Sequence, residues 1–174
     1  MSNSAIQNPG RRNFLRTAPV AAAAGFALAD ASLFASSAHA QAESAGKFQH
    51  IAAQTLAGDI QALDATPGNN NLVTSQNTLI ILTVEKDKAA KEFEWHEHRD
   101  HVFQILDGDT VYELGGTPKN GRNTKPGEWL APESEGAEKV TLRKGDLLFV
   151  PRGTPHRRTT KGSVTFTLTS SQDA

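Results

Sequence analysis

The sequence predicts an all-β protein: a single small β-barrel or jelly roll, with a short helical segment in front of it. Three observations carry this. Short apolar or alternating runs recur from residue 78 to 170, each bounded by Gly, Pro or Asp. The run from Ser163 to Thr169 alternates without a miss, the period of a half-buried strand. No repeat array, heptad pattern or second domain competes with that reading.

The N-terminus reads as an address. Arg11-Arg12-Asn13-Phe14-Leu15 precedes an alanine-rich apolar run, and Ala38-His39-Ala40 is a small-x-small exit before Gln41. The arginine pair with Phe14-Leu15 behind it resembles the twin-arginine class of export signal, which a receptor reads and which leaves no anchor. Residues 1–40 are therefore expected to be cleaved, and the mature protein to be periplasmic or secreted. Arg11, Arg12, Arg16 and Asp30 leave with the signal, so the formal charge moves from −1 to −3. Neither value makes an electrostatic case for nucleic acid or an anionic membrane. Cysteine is absent, which excludes disulfides, thiolate ligands and thiol nucleophiles.

Residues 41–77 read as an extension. Phe48, Ile51, Leu56, Ile60 and Leu63 recur at roughly helical spacing, predicting helix within 48–64 with its apolar stripe against the outside of the barrel. His50 falls there, exposed and without a role. Thr66 to Asn71 is a turn signal. The barrel is expected over 78–174. Leu79 to Val84 predicts a buried strand, Val102 to Leu106 another, and Asp107-Gly108 a tight hairpin turn with Thr110 to Leu114 returning. Thr117 to Glu138 reads as a long polar loop with a short strand around Trp129-Leu130. Loops of that length are uncommon unless functional. Lys139 to Leu142 and Leu147 to Val150 predict two more strands around the turn at Gly145-Asp146.

The chemistry concentrates in two segments. In the first, His96, His98 and His101 fall close together. Strand alternation puts Glu94, His96 and His98 on one face, so the two histidines, about 7 Å apart, can address one ion. His101 has the wrong parity and joins them only if Arg99-Asp100 forms a bulge or turn. In the second, His156 follows the rigid turn Pro151-Arg152-Gly153-Thr154-Pro155. Four imidazoles suit Mn, Fe, Ni, Cu or Zn rather than Mg or Ca. Glu94 shares the inward face and is the candidate catalytic carboxylate, as a proton shuttle or a fifth ligand; a plain rim carboxylate is the alternative. Arg99, Asp100 and Glu97 read as surface or turn residues, with Asp100 a candidate to orient an imidazole N–H. Phe103, Ile105, Tyr112, Phe149, Phe166 and Leu168 read as barrel lining.

These segments resemble the two motifs of the cupin superfamily. The first, G-x5-H-x-H-x3/4-E-x6-G, is met by His96, His98 and Gly108; the second, G-x5-P-x-G-x2-H-x3-N, by Gly145, Pro151, Gly153 and His156. Ala90 stands at the opening Gly and Thr160 at the closing Asn. The usual Glu ligand is missing, and counting back from Gly108 puts His101 in its place. Three imidazoles and a glutamate leave a divalent ion at net +1, four neutral imidazoles at +2, so the substitution implies a stronger Lewis acid. The resemblance implies a metal-binding barrel, a small organic ligand or substrate with a carboxylate or enol oxygen, and a homodimer paired through sheet edges. It leaves two functions open: an exported metalloenzyme of dioxygenase or isomerase type, and a non-catalytic ligand-binding barrel with a structural metal.

Overall fold

The computed structural model describes residues 48–173, so the expected export signal lies outside the described residues. In chain order the elements begin with α1 (Ala53–Ala65), β1 (Gly68–Thr74), β2 (Thr78–Lys86), β3 (Phe93–His96) and β4 (Arg99–Leu114). Four short strands follow: β5 (Thr117–Lys119), β6 (Arg122–Lys125), β7 (Glu128–Ala131) and β8 (Glu133–Glu135). The barrel then closes with β9 (Glu138–Arg143), β10 (Leu147–Val150), β11 (His156–Thr159) and β12 (Ser163–Gln172).

All pairings are antiparallel, and β4 belongs to two sheets. Its first half lies between β12 and β10, in a sheet continued by β2 and β1. Its second half lies between β9 and β11, in a sheet continued by β3, β7 and β6. The core sits between the two sheets, where Leu79, Ile81, Phe103, Ile105, Tyr112, Leu142, Val150, Val164, Phe166 and Leu168 are buried together. This is the jelly-roll architecture that the alternating runs predicted.

The point where β4 changes sheets corrects the hairpin expected at Asp107-Gly108. Asp107 pairs with Thr165 and Ile105 with Phe166, which leaves Leu106 as a bulge. Buried positions are Arg99, His101, Phe103 and Ile105 before the bulge, then Thr110 and Tyr112 after it. One extra residue flips the inward parity and bends the strand, so the chain runs on instead of turning back. Gly108 has φ +74°, and a Cβ there would lie 2.1 Å from the Ser163 carbonyl oxygen. The glycine allows close approach of two strands, not a tight turn.

Three other expectations change. Thr66–Asn71, read as a turn, opens β1 at Gly68, because β1 pairs along β2. The 117–138 segment is no open loop: β6 and β7 form a hairpin on the edge of β3, and β5 pairs with β8. Phe149 is 56% exposed, not lining, and Leu147 is exposed beside it, since β10 turns only Val150 fully inward. The helix forms close to where it was expected, with Leu56, Ile60 and Leu63 half-buried against β1 and β2 and no residue fully buried. His50 is exposed. Among the described residues no helix is long and apolar enough to cross a membrane.

Candidate metal centre

Three strands bring His96, His101 and His156 together at one end of the barrel interior. His96 ends β3, His101 lies near the start of β4, and His156 opens β11. Their candidate ligand nitrogens all lie within 4.8 Å of one another, and the three residues are 1–4% exposed. The His96 and His101 rings stack at 4.7 Å, and His156 meets them edge-on at 5.8 and 5.4 Å. The turn from Pro151 is docked to its neighbour: Gly153 N–H donates to the His96 carbonyl at 2.7 Å. The two sequence motifs are thus joined by backbone as well as by side chains.

His98 does not join them. Its side chain is 69% exposed, beside Glu97. The expectation that His96 and His98 share a face required strand to run through both. Instead β3 stops at His96, residues 97 and 98 bend, and β4 starts at Arg99. The break needed to bring in His101 exists, two residues earlier than expected. The same break that turns His101 inward puts His98 outside.

Unpartnered nitrogens give the cluster its chemistry. His96 Nε2, His156 Nε2 and both nitrogens of His101 are buried without a hydrogen-bond partner. Leaving one such atom unsatisfied costs about 1–3 kcal/mol, so converging several is expensive unless a ligand accepts them. The other nitrogens are spoken for. His156 Nδ1 donates to the Thr154 carbonyl at 2.9 Å. His96 Nδ1 lies between a carboxylate that only accepts, Glu128 Oε2 at 2.7 Å, and a guanidinium that only donates, Arg99 Nη2 at 3.0 Å; the shorter contact assigns the Nδ1 proton to the bond with Glu128. In the neutral imidazole, a proton on Nδ1 leaves the lone pair on Nε2, the form in which imidazole binds a metal.

Burial and nearby charges favour the neutral form of His101 and His156. Burial pushes His101 well below the usual imidazole range, and His156, His96, Arg99 and Arg158 act in the same direction. Burial likewise takes His156 down to about 3, against the opposing hydrogen bond to Thr154. Burial would raise the Glu128 carboxyl, but hydrogen bonds and charge from His96 and Arg99 outweigh it and hold the group below its usual range.

Glu94 lies on the inner face as expected, two residues before His96. Its Oε1 is 3.7 Å from His156 Nε2, and its side chain is a quarter exposed. Arg99 is a correction: read as a surface residue, it has a side chain 2% exposed and pairs with Glu128. Asp100 is another. It orients no imidazole; it accepts from the Arg152 backbone N–H at 2.7 Å and from the Arg152 guanidinium at 2.8 Å. The carboxylate that does reach an imidazole, Glu128, carried no local signal in the sequence. It sits 32 residues from His96, and only the β3–β7 register places it opposite.

A second polar cluster is buried farther along the same inner face. Arg158 donates to both oxygens of Glu85 at 3.0 and 2.9 Å. Thr160 adds a bond of 2.7 Å to the same carboxylate and Lys88 one of 3.0 Å. Burial raises the Glu85 carboxyl, yet Arg158, Lys88 and Thr160 together take it down to about 2. Outside this core, a groove of about 390 Å³ is lined by residues that include Leu114, Val140, Phe149, Val150 and Thr154. Val150 pairs with His101, and the Thr154 carbonyl holds His156.

The model of the JmjC domain family matches residues 82–173, more than half of the chain, and the chain belongs to that family. A Bacillus halodurans protein of known structure is 12% identical, covering 74% of this chain and 85% of its own, with a TM-score of 0.53. A cupin superfamily protein of Desulfitobacterium hafniense is 20% identical, with coverages of 61% and 77% and a TM-score of 0.45. KdgF from a Halomonas species is 17% identical, with coverages of 61% and 80% and a TM-score of 0.44. Comparison with curated proteins returns no match. The barrel is a cupin fold.

Proposed function

On the premise of a JmjC-family cupin barrel, we propose that the chain holds a divalent transition metal through His96, His101 and His156. The observation that carries this is the convergence of buried, unpartnered imidazole nitrogens within 4.8 Å. An all-nitrogen set without thiolates suits Mn, Fe, Ni, Cu or Zn. Three neutral imidazoles leave the ion at +2, as four would, and keep it a strong Lewis acid.

The protein is further proposed to be an exported metalloenzyme of dioxygenase or isomerase type, acting on a small organic substrate with a carboxylate or enol oxygen. A divalent ion here would supply Lewis acidity to a ligand oxygen. Glu94 is the group placed to take or return a proton beside it. Export by the twin-arginine route rests on residues 11–40 and fits a centre loaded before translocation.

Metal analysis of protein purified after native export, followed by an oxygen-consumption screen with small carboxylates and enols, tests this. One equivalent of a transition metal and turnover lost in Glu94→Gln are expected. Full metal content in both His96→Ala and His156→Ala would refute the site. The near-complete burial of all three imidazoles favours a second reading, a structural metal in a ligand-binding barrel. Failure of azide to perturb the spectrum of a cobalt-loaded sample would select it.

A further inference from the structure

We infer that Glu128 is a positioning residue of this centre: it fixes which nitrogen of His96 faces the other two imidazoles, and Arg99 holds it in place. The affinity measured below rests on the proposed metal reading; the tautomer measured beside it does not.

The geometry is built from three separate parts of the chain. His96 and Glu128 stand directly opposite in the β3–β7 register. One carboxylate oxygen takes the His96 Nδ1 proton at 2.7 Å. The other is held by the Arg99 guanidinium, from a side chain 2% exposed. With both oxygens engaged, the carboxylate cannot turn away from the imidazole. It also cannot donate, so it draws the proton to Nδ1, against the Arg99 guanidinium, whose Nη2 lies 3.0 Å from the same nitrogen and would favour the other tautomer if Glu128 were absent. His156 gets the same tautomer from the uncharged Thr154 carbonyl. His96 gets it from an anion, which makes its Nε2 the stronger donor of the two. Arg99 balances the charge that a half-buried carboxylate would otherwise carry against the barrel. The β6–β7 hairpin, which is part of the long polar excursion, thereby reaches the centre.

The test uses the purified protein with Co²⁺ as the probe. Affinity is measured by competition with a chelator, and imidazole tautomers by ¹⁵N NMR of the metal-free protein. Glu128→Ala is expected to weaken Co²⁺ binding about 10- to 100-fold and to convert His96 from one tautomer to a mixture. Glu128→Gln, which keeps the shape, is expected to fall on the same side by a smaller factor. Thr124→Ala loosens the same hairpin by removing a bond to the Glu128 carbonyl, and is expected to leave both readouts unchanged. Wild-type affinity with a single His96 tautomer in Glu128→Ala would overturn the inference. So would a loss in Thr124→Ala equal to that in Glu128→Ala, which would make the hairpin merely structural. Absence of Co²⁺ binding by the wild type would instead refute the metal reading, with the tautomer result still deciding the role of Glu128.

Discussion

Among the described residues, the polar clusters around Glu85 and around His156 are both buried in the barrel, and they are built on opposite plans. Around Glu85, each carboxylate oxygen meets donors from Arg158, Lys88 or Thr160, and Thr160 is joined in turn to Thr110 at 3.0 Å. Around His156, the imidazole nitrogens that converge have no partner at all. The first cluster is closed on itself and contributes structure. The second is satisfied only on its outer side, by Glu128 and Thr154, and is open toward its own centre. Burial alone does not mark a binding site, since both clusters are buried. What distinguishes them is the direction in which hydrogen-bonding capacity is left over.

Four experiments bear on that contrast. Arg158→Ala strands the Glu85 carboxylate inside the barrel, and chemical denaturation is expected to show a loss of about 3–5 kcal/mol. A smaller effect there than from His101→Ala in the metal-free protein would reverse the two roles. Metal at a hundredfold over its Kd is expected to add about 2.7 kcal/mol, seen as a raised Tm that a chelator abolishes. The Arg158→Ala protein, if folded, should gain at least as large an increment, because the Arg158 charge opposes positive charge at His101 and His156.

Acid should act on the clusters in sequence. His101 and His156 are held neutral in the folded chain, below the ordinary value of 6.5. The unfolded chain therefore binds protons first as pH falls. Their contribution is fully present above about pH 6.5 and is lost as pH drops toward the folded value of about 3 for His156. The slope is up to about 1.4 kcal/mol per pH unit for each imidazole. Glu85, held at about 2, follows the same sign in a lower window: its contribution is present above its ordinary 4.5 and is lost through about 2. A metal-free protein whose Tm is flat from pH 7 to 4.5 would contradict the neutral-imidazole assignment. The smallest effect is reserved for His98→Ala, where the exposed side chain predicts a change in stability under about 0.5 kcal/mol and unaltered metal affinity. A large loss of affinity there would restore the His96–His98 pair as ligands.

Much of this was legible in the chain itself because it is local. The alternation from Ser163 to Thr169 and the apolar run from Leu79 to Val84 are periodicities of one strand, and both formed β-structure where expected. The spacing from Gly145 to His156 describes one turn and its exit, and His156 arrives at the cluster through it. By contrast, whether Asp107-Gly108 turned or bulged depended on Ser163 lying across from it, which no window around Gly108 contains. The choice between His98 and His101 depended on where β3 ended, and that was decided by pairing to β7 and β11.

By itself, then, the sequence indicated a β-barrel and a four-histidine cluster of His96, His98, His101 and His156, with His101 conditional on a break in the strand, since motif spacing constrains what a strand and a turn can present. Only the tertiary structure decided that His98 stands outside, that Arg99 is buried, and that Glu128 supports His96 from across a sheet. The physical reason is the same in each case. A strand break costs or gains through the partners on either side of it, and those partners come from segments far away in the chain.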